Sequence, residues 1–166
     1  MTDPSGALAS FQTMLPQGVL PLQRTQLDPT VQVMMDEPVL GVLRFTYVRT
    51  LGPRATEMAL LVTCEPIEGR PSFALGYAVE LGHRGQGRAK SIVTAAPAEF
   101  ETGMRRAGAL PVYVEAVVGA DNDASLRDRD MTLPDPCNSL GKQHRVNRFT
   151  RLAKRPASRR VPAGQA

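Results

Sequence analysis

Glycines and cationic side chains are concentrated in one short segment, residues 82–90, with the sequence Gly-His-Arg-Gly-Gln-Gly-Arg-Ala-Lys. The segment lies between a predicted strand and a predicted helix, so its backbone N–H groups meet the positive end of a helix dipole. Glycines allow an anion to approach the backbone closely, and Arg84, Arg88 and Lys90 add mobile positive charge. The pattern predicts a site for a phosphate or pyrophosphate group.

Two common phosphate-binding motifs do not fit this segment. A P-loop requires Gly-x-x-x-x-Gly-Lys-Ser/Thr, whereas Gly87 is followed by Arg88 and Ala89, so the lysine and the magnesium-binding hydroxyl are both missing. A dinucleotide-binding fingerprint requires Gly-x-Gly-x-x-Gly, but Lys90 stands where its third glycine belongs. We therefore exclude an NTPase and a Rossmann-type dinucleotide enzyme.

Three predicted strands precede the glycine-rich segment. They cover residues 39–48, 58–63 and 72–80, where β-branched, aromatic and aliphatic residues are concentrated. Short turns separate these strands, which predicts antiparallel pairing between them. Residues 1–30 are poorly patterned, and their prolines limit them to at most one short helix.

An amphipathic helix is predicted directly after the glycine-rich segment. Apolar residues recur there every three or four positions from Ile92 to Ala107, which is the pattern of a helix with one buried face. Gly108 is a typical C-terminal stop. Pro97 lies inside this pattern, so we expect a kink or a break at that position.

The C-terminal part of the chain supplies two more strands and one helix. Residues 112–118 form a clear strand pattern, and Asp121, Asn122 and Asp123 can cap a short helix from about Ala124. Residues 145–152 alternate well enough for a final strand. The predicted order is β-β-β-α-β-α-β, a mixed α/β fold of the α+β kind.

The signature-like residues of the segment have a known counterpart. Arg84-x-x-Gly87-x-Ala89 resembles the Arg/Gln-x-x-Gly-x-Gly/Ala signature of the GNAT superfamily of acyl-CoA-dependent N-acetyltransferases. Residues 76–79, Gly-Tyr-Ala-Val, look like the strand that leads into that signature.

Two further pieces extend the resemblance over about residues 39–152. Residues 121–126 resemble the family's Asn-x-x-Ser element, which opens the helix after the next strand. Residues 114–116, Val-Glu-Ala, are most similar to the Rim-type branch, which includes ribosomal-protein N-terminal acetyltransferases.

The resemblance implies a GNAT-like fold, which is a twisted, mixed and mostly antiparallel sheet with helices on both faces and splayed central strands. Acyl-CoA lies between the splayed strands in that family. The end of the strand before the signature, from Val79 to Leu81, would pair with the pantetheine arm, and Asn122 and Ser125 would touch the CoA arm. The turn amides that would hold the CoA pyrophosphate belong to Arg84, Gly85, Gln86, Gly87, Arg88, Ala89 and Lys90.

The activity implied is transfer of an acetyl group from acetyl-CoA, as cosubstrate and without a metal, to a primary amine by direct attack in a ternary complex. The acceptor would be a protein N-terminus, a lysine side chain or a small amine. Glu115 would take the amine proton, and Glu80 is a second candidate for this role. Arg129 stands where the family often has a tyrosine that acts as the general acid. The alternative is therefore a catalytically degenerate GNAT-like module that binds CoA or a protein partner.

Charge divides the chain into two parts. Residues 136–166 carry eight of the 20 basic residues and none of the 16 acidic ones, so the remainder has a net charge of −4. We expect a single domain over residues 1–154 and a basic, disordered tail over residues 155–166. A tail of this kind is either simply solvated or able to contact RNA or the ribosome.

Composition sets the remaining expectations. The 166 residues are 42% hydrophobic and 22% charged, which is ordinary for a globular domain. No apolar run reaches the length of about 18–20 residues that spans a bilayer. The first residues lack the basic start of a secretory signal, and the two cysteines form no local motif. We expect a cytoplasmic protein that does not bind membranes.

Overall fold

The computed structural model describes residues 3–109, 111–118 and 146–152. Within these residues, two α-helices and seven strands form the fold. The elements in chain order are α1 (Pro4–Met14), a 3-10 turn (Leu15–Gln17), β1 (Gln23–Arg24), β2 (Val31–Val39), β3 (Val42–Leu51), β4 (Arg54–Ile67), β5 (Arg70–Val79), a 3-10 turn (Leu81–His83), α2 (Arg88–Arg106), β6 (Val112–Val118) and β7 (Val146–Leu152).

The strands form one open sheet in which spatial order follows sequence order from β1 to β7. Strands β1 to β5 are successive antiparallel neighbours, and β6 and β7 are antiparallel to each other. Strand β6 is parallel to β5, because α2 returns the chain to the end of the sheet where β5 began. The predicted mixed, mostly antiparallel α+β sheet is therefore confirmed.

The first predicted strand, residues 39–48, is wrong in its boundaries. Val39 ends β2, and a tight turn at Leu40 and Gly41 leads into β3. Strand β2 escaped prediction because Asp36, Glu37 and Pro38 are poor strand formers. The sheet tolerates them because the regular pairing of β2 with β3 ends at Asp36 and shifts before Val39.

The poorly patterned N-terminal segment contains one α-helix, as predicted, followed by the first 3-10 turn. The carboxylate of Asp3 caps α1 by accepting hydrogen bonds from the amides of Ser5 and Gly6, each at 3.1 Å. Leu8 and Phe11 are buried one turn apart on the same side of the helix. They join a cluster on one face of the sheet with Val48, Met58, Leu60 and Ala78.

Helix α2 packs on the opposite face of the sheet and forms the larger core. Ile92, Ala96 and Phe100 are fully buried, which confirms the predicted apolar face. The ring of Phe100 packs edge-on against Phe45 and Phe73, with centroids 5.1 and 4.8 Å away. Helices thus cover both faces of the sheet, as predicted.

Helix α2 passes through Pro97 without interruption, so a break at this residue is a wrong prediction. Proline removes one helical hydrogen bond, but Pro97 is buried between core contacts that hold the helix on both sides of it. The predicted stop is confirmed, because Gly108 follows the helix with a left-handed φ of 70°.

The final predicted strand is confirmed as β7, which pairs with β6 along its length. The predicted helix from about Ala124 and the tail at 155–166 lie outside the described residues. Among the residues described, none of the helices is both long enough and apolar enough to cross a bilayer.

Gly76 on β5 sets how closely α1 approaches the sheet. A Cβ at this position would lie 2.8 Å from Cγ of Pro4, which is inside van der Waals contact. We expect Gly76→Ala to lower the free energy of unfolding by about 1–3 kcal/mol, because the rigid proline ring must move away. Chemical denaturation measures the change.

The matched control removes the clash from the other side. Pro4→Ala deletes the ring atom that Gly76→Ala would meet, so the double variant should recover most of the lost stability. Additive losses in the double-mutant cycle would contradict this account of the helix–sheet contact.

Candidate functional site: the turn between β5 and α2

The glycine-rich segment forms a tight corner between β5 and α2. The carboxylate of Glu80 caps the 3-10 turn by accepting from the amide of Gly82 at 3.1 Å. Gly85 and Gly87 then adopt left-handed φ angles of 73° and 75°, which favour glycine over other residues. These two conformations turn the chain so that α2 begins at Arg88.

The backbone amides of this corner are open to a ligand. In the part of the chain that the structure describes, no hydrogen-bond partner is recorded for the amides of residues 85–90, and no side chain caps α2. A Cβ built on Gly85 or Gly87 meets no atom of the described residues within 4 Å, so none of these residues fills the space before them. Unpaired N–H groups at the positive end of a 19-residue helix favour an anion.

Two of the three cations predicted to be mobile are held in place. Arg84 Nε donates to the carbonyl of Val79 at 3.1 Å, and Arg88 Nη1 donates to Glu57 Oε2 at 3.0 Å. Lys90 is exposed, and no ion pair is recorded for it among the described residues. Lys90 is thus an exposed cation at the turn, while Arg84 and Arg88 brace the corner through their hydrogen bonds.

Glu57 is the residue that sequence reasoning missed. It lies on β4 with 1% of its surface exposed, directly beneath the start of α2. Its two oxygens accept from two arginines, Arg49 through Oε1 and Arg88 through Oε2, both at 3.0 Å. Thr56 donates to Oε2 at 2.6 Å, and Arg49 also donates to Ser91 Oγ of α2 at 2.7 Å.

This network keeps the carboxylate of Glu57 charged although it is buried. Burial alone would raise the pKa of Glu57, but hydrogen bonds from Thr56, Arg49 and Arg88 hold that pKa below its ordinary value. The carboxylate is thus ionised, and it ties the first turn of α2 to the sheet. The available signal was weak: Glu57 and Ala59 share the face of β4 that carries α2, but the pairing with β3 shifts next to Glu57, so Ala55 lies on the α1 side.

The pairing of β5 with β6 covers only part of both strands. It runs from Ser72 opposite Tyr113 to Leu75 opposite Ala116, whereas β5 continues to Val79. On its other side, β5 stays paired with β4 as far as Val79 opposite Glu57. Within the described residues, the last third of β5 therefore has a strand neighbour on one side only.

The direction of the Val79 backbone follows from the ladder. The amide of Glu80 donates to the carbonyl of Thr56 at 2.9 Å, so these two residues form a hydrogen-bonded pair. Such pairs alternate along antiparallel strands, so the N–H and C=O of Val79 point away from β4. The N–H of Val79 thus faces the side where the pairing with β6 has ended. Leu81 lies beyond the strand, in the 3-10 turn, with its side chain exposed.

Glu115 lies on β6 next to the end of this pairing. It is half-buried and stands opposite Ala74, one residue before the last pair. Both residues belong to the face of the sheet that carries α1, where Cys64 is a neighbour. Burial, with the charge of Glu115, raises the pKa of the Cys64 thiol. A carboxylate therefore stands close to the point where β5 and β6 stop pairing.

Glu80, the second candidate for a base, has other bonds. It accepts from the amide of Gly82 and lies 2.6 Å from Nδ1 of His83. The hydrogen bond with His83 lowers the pKa of Glu80, which makes this carboxylate a weaker base. Asn122, Ser125 and Arg129 lie outside the described residues.

No protein-family model matches the sequence, and a search of curated proteins finds no match. Among the described residues, no group of three or more histidine, cysteine, aspartate or glutamate side chains could hold a metal ion.

We expect Glu57→Gln to lower the free energy of unfolding by about 2–4 kcal/mol at pH 7, because two guanidinium groups lose their shared counter-charge. The folded pKa of Glu57 is depressed, so the charge stabilises the fold above the ordinary pKa of 4.5. This stabilisation disappears as the pH falls through the folded pKa. The gap between wild type and variant should therefore narrow in acid, as urea denaturation between pH 7 and pH 3 can measure.

Glu101→Gln is the matched control, because it also removes a glutamate that pairs with an arginine of α2. The pair of Glu101 with Arg105 lies on the solvent-exposed surface of the helix. This change should cost at most about 0.5 kcal/mol at any pH. Equal losses for both variants would contradict the bracing role of Glu57.

Proposed function

We propose that the chain is an N-acetyltransferase of the GNAT type, which transfers an acetyl group from acetyl-CoA to a primary amine. Two features of the described residues carry the proposal: amides at the start of α2 without a recorded hydrogen-bond partner, and beside them the end of β5, which these residues flank with a strand on one side only. The first feature suits a pyrophosphate, and the second suits an amide-bearing arm that can add to a strand edge.

The corner has the chemistry that a CoA pyrophosphate needs. The amides of residues 85–90 supply donors, Gly85 and Gly87 leave the approach open, and Lys90 adds a cation at the rim. Glu57 contributes indirectly, because it holds Arg88 and so fixes the direction of the first helical turn. Preformed donors lose little conformational entropy on binding, which increases affinity.

The free side of β5 suits the pantetheine arm. Its amide groups would hydrogen-bond to the Val79 backbone in the way that a further strand does. Val79 N–H is also the donor that would polarise a carbonyl placed beside it, by the electrostatics of an oxyanion hole. The GNAT-like splaying of the central strands is part of this proposal, and the short β5–β6 ladder supports it.

The reaction requires an uncharged amine and a nearby group that accepts its proton. Acetyl-CoA supplies the acetyl group as a thioester. An amine nitrogen forms the new C–N bond to the acetyl carbon, the C–S bond breaks, and CoA leaves as a thiolate that takes up a proton to give the thiol. Glu115 is the carboxylate closest in register to the end of the ladder, so it is our candidate base, acting directly or through one water. The acceptor is a peptide N-terminus, a lysine side chain or a small amine.

Gly87→Glu tests the pyrophosphate site. We expect acetyl-CoA binding to weaken by at least about 100-fold, because the variant places a carboxylate where an anion must lie. Isothermal titration calorimetry measures the affinity. Gly41→Glu is the matched control, since Gly41 also has a left-handed φ of 81° and open space before it, but lies in the β2–β3 turn. Unchanged affinity in Gly87→Glu would refute the site.

Glu115→Gln tests the base. We expect turnover to fall by about 10²–10⁴-fold with acetyl-CoA affinity nearly unchanged, because the amide cannot accept a proton. Release of the CoA thiol against a panel of amines gives the rate, and its dependence on pH gives the titrating group. A pH–rate profile identical to that of the wild type would remove Glu115 from the mechanism.

The second candidate is a catalytically degenerate module that binds CoA or a protein partner without turnover. It is favoured by Arg129, which replaces the tyrosine expected from the resemblance. Tight acetyl-CoA binding without thiol release for any amine would support this candidate over the enzyme.

A further inference from the structure

A groove with a volume of about 460 Å³ lies between the C-terminal half of α2 and the β1–β2 end of the sheet. It exists because α2 packs mainly over β3, β4 and β5, so that on the same face of β2 Val31 is buried in the core while Met35 stays exposed. The groove is separate from the corner at Gly87, since it lies at the opposite edge of the sheet from β5 and β6. Its size is that of pockets for small organic molecules.

The floor of the groove is apolar. Val33 and Phe45 are half-buried against the α2 core, and Met35 is 57% exposed. These side chains share one face of neighbouring strands, because Val33 is paired with Tyr47 and Met35 with Phe45. An exposed apolar floor of this kind gains free energy when a ligand removes it from water.

One buried polar group in the groove is the hydroxyl of Tyr47. Tyr47 lines the groove with 4% of its surface exposed, and no hydrogen bond is recorded for its hydroxyl within the described residues. Burial, with the nearby charge of Glu99, raises the pKa of Tyr47 far above its ordinary value, so the hydroxyl stays protonated. It is a donor that a ligand oxygen can satisfy.

Glu99 also lines the groove, but its oxygens are already engaged. They accept hydrogen bonds from three consecutive amides of the segment after β1, those of Gln26, Leu27 and Asp28, at 3.0, 2.7 and 2.7 Å. This carboxylate therefore fixes one wall of the groove.

The rim of the groove carries positive charge. Arg24 on β1 and Arg106 at the end of α2 are both exposed and both line the groove. No ion pair is recorded for either of them among residues 3–109, 111–118 and 146–152. Two uncompensated guanidinium groups beside an apolar floor complement a molecule with an anionic group and an apolar body.

We propose that this groove binds a small organic anion with an apolar body, held by Arg24 and Arg106 at its charged end and by the Val33–Phe45 floor. The site goes beyond the acetyltransferase function and does not depend on it. The Tyr47 hydroxyl donates to an oxygen of the ligand.

A pair of fluorescent probes tests the charge and the floor separately. 1-Anilinonaphthalene-8-sulfonate carries a sulfonate, whereas N-phenyl-1-naphthylamine has the same rings without it. We expect saturable binding of the sulfonate probe at one site per chain. We expect Arg24→Gln combined with Arg106→Gln to weaken binding of the sulfonate probe by at least about tenfold, and binding of the neutral probe by less than about twofold. Equal weakening of both probes, or none, would overturn the proposal.

Gly103 on α2 provides a steric test with its own control. It lines the groove, and a Cβ there meets no atom of the described residues within 4 Å, so the methyl group of alanine fits without a clash. Gly103→Phe fills the groove and should abolish probe binding, while Gly103→Ala should retain it without lowering the melting temperature. Binding that survives Gly103→Phe would place the probe elsewhere and refute the site.

Competition with acetyl-CoA separates this proposal from the proposed function. Probe fluorescence should be unchanged by acetyl-CoA, because the groove lies at the β1–β2 edge of the sheet and the proposed acetyl-CoA site lies at the end of β5. Displacement of the probe by acetyl-CoA would make the groove part of the cosubstrate site and overturn the proposal. Failure of acetyl-CoA to bind at all would count against the transferase function alone.

Discussion

A carboxylate buried beneath the first turn of α2 is the constraint on which the corner depends. Glu57 holds Arg49 from β3 and Arg88 from α2, so one ionised group joins two strands and the helix start. The cost of burying it is offset only while both guanidinium groups and Thr56 remain bonded. The direction of α2, and with it the direction of its open amides, follows from this arrangement.

Much of the fold could be predicted from local pattern. Strands β4 and β5, the buried face of α2 and the stop at Gly108 each follow from periodicity or from a glycine with a special φ. Strand β2 could not be predicted, since Asp36, Glu37 and Pro38 obscure it and only its tertiary pairing with β3 makes it a strand. The continuity of α2 through Pro97 likewise depends on core packing, which local helix propensity does not reflect.

The candidate site was predictable in its backbone and not in its side chains. Glycine spacing identified the open turn, because left-handed conformations favour that residue. Arg84 and Arg88 bond to a carbonyl and a carboxylate that the sheet brings close to them. Local sequence does not show these partners, so both side chains were wrongly predicted to be mobile. Glu57 lies just before the apolar run from which β4 was predicted, and a single charged residue there does not by itself indicate a buried position.

The layout of the sheet, in which each strand lies beside its predecessor in the chain, has a consequence for how the protein forms. Every antiparallel hairpin from β1 to β5 closes a short loop, so little entropy is lost before contacts are gained. Strand β6, by contrast, reaches β5 only after α2 has intervened in the chain. Pairing between consecutive strands lets each new segment of a growing polypeptide add to strands that have already formed.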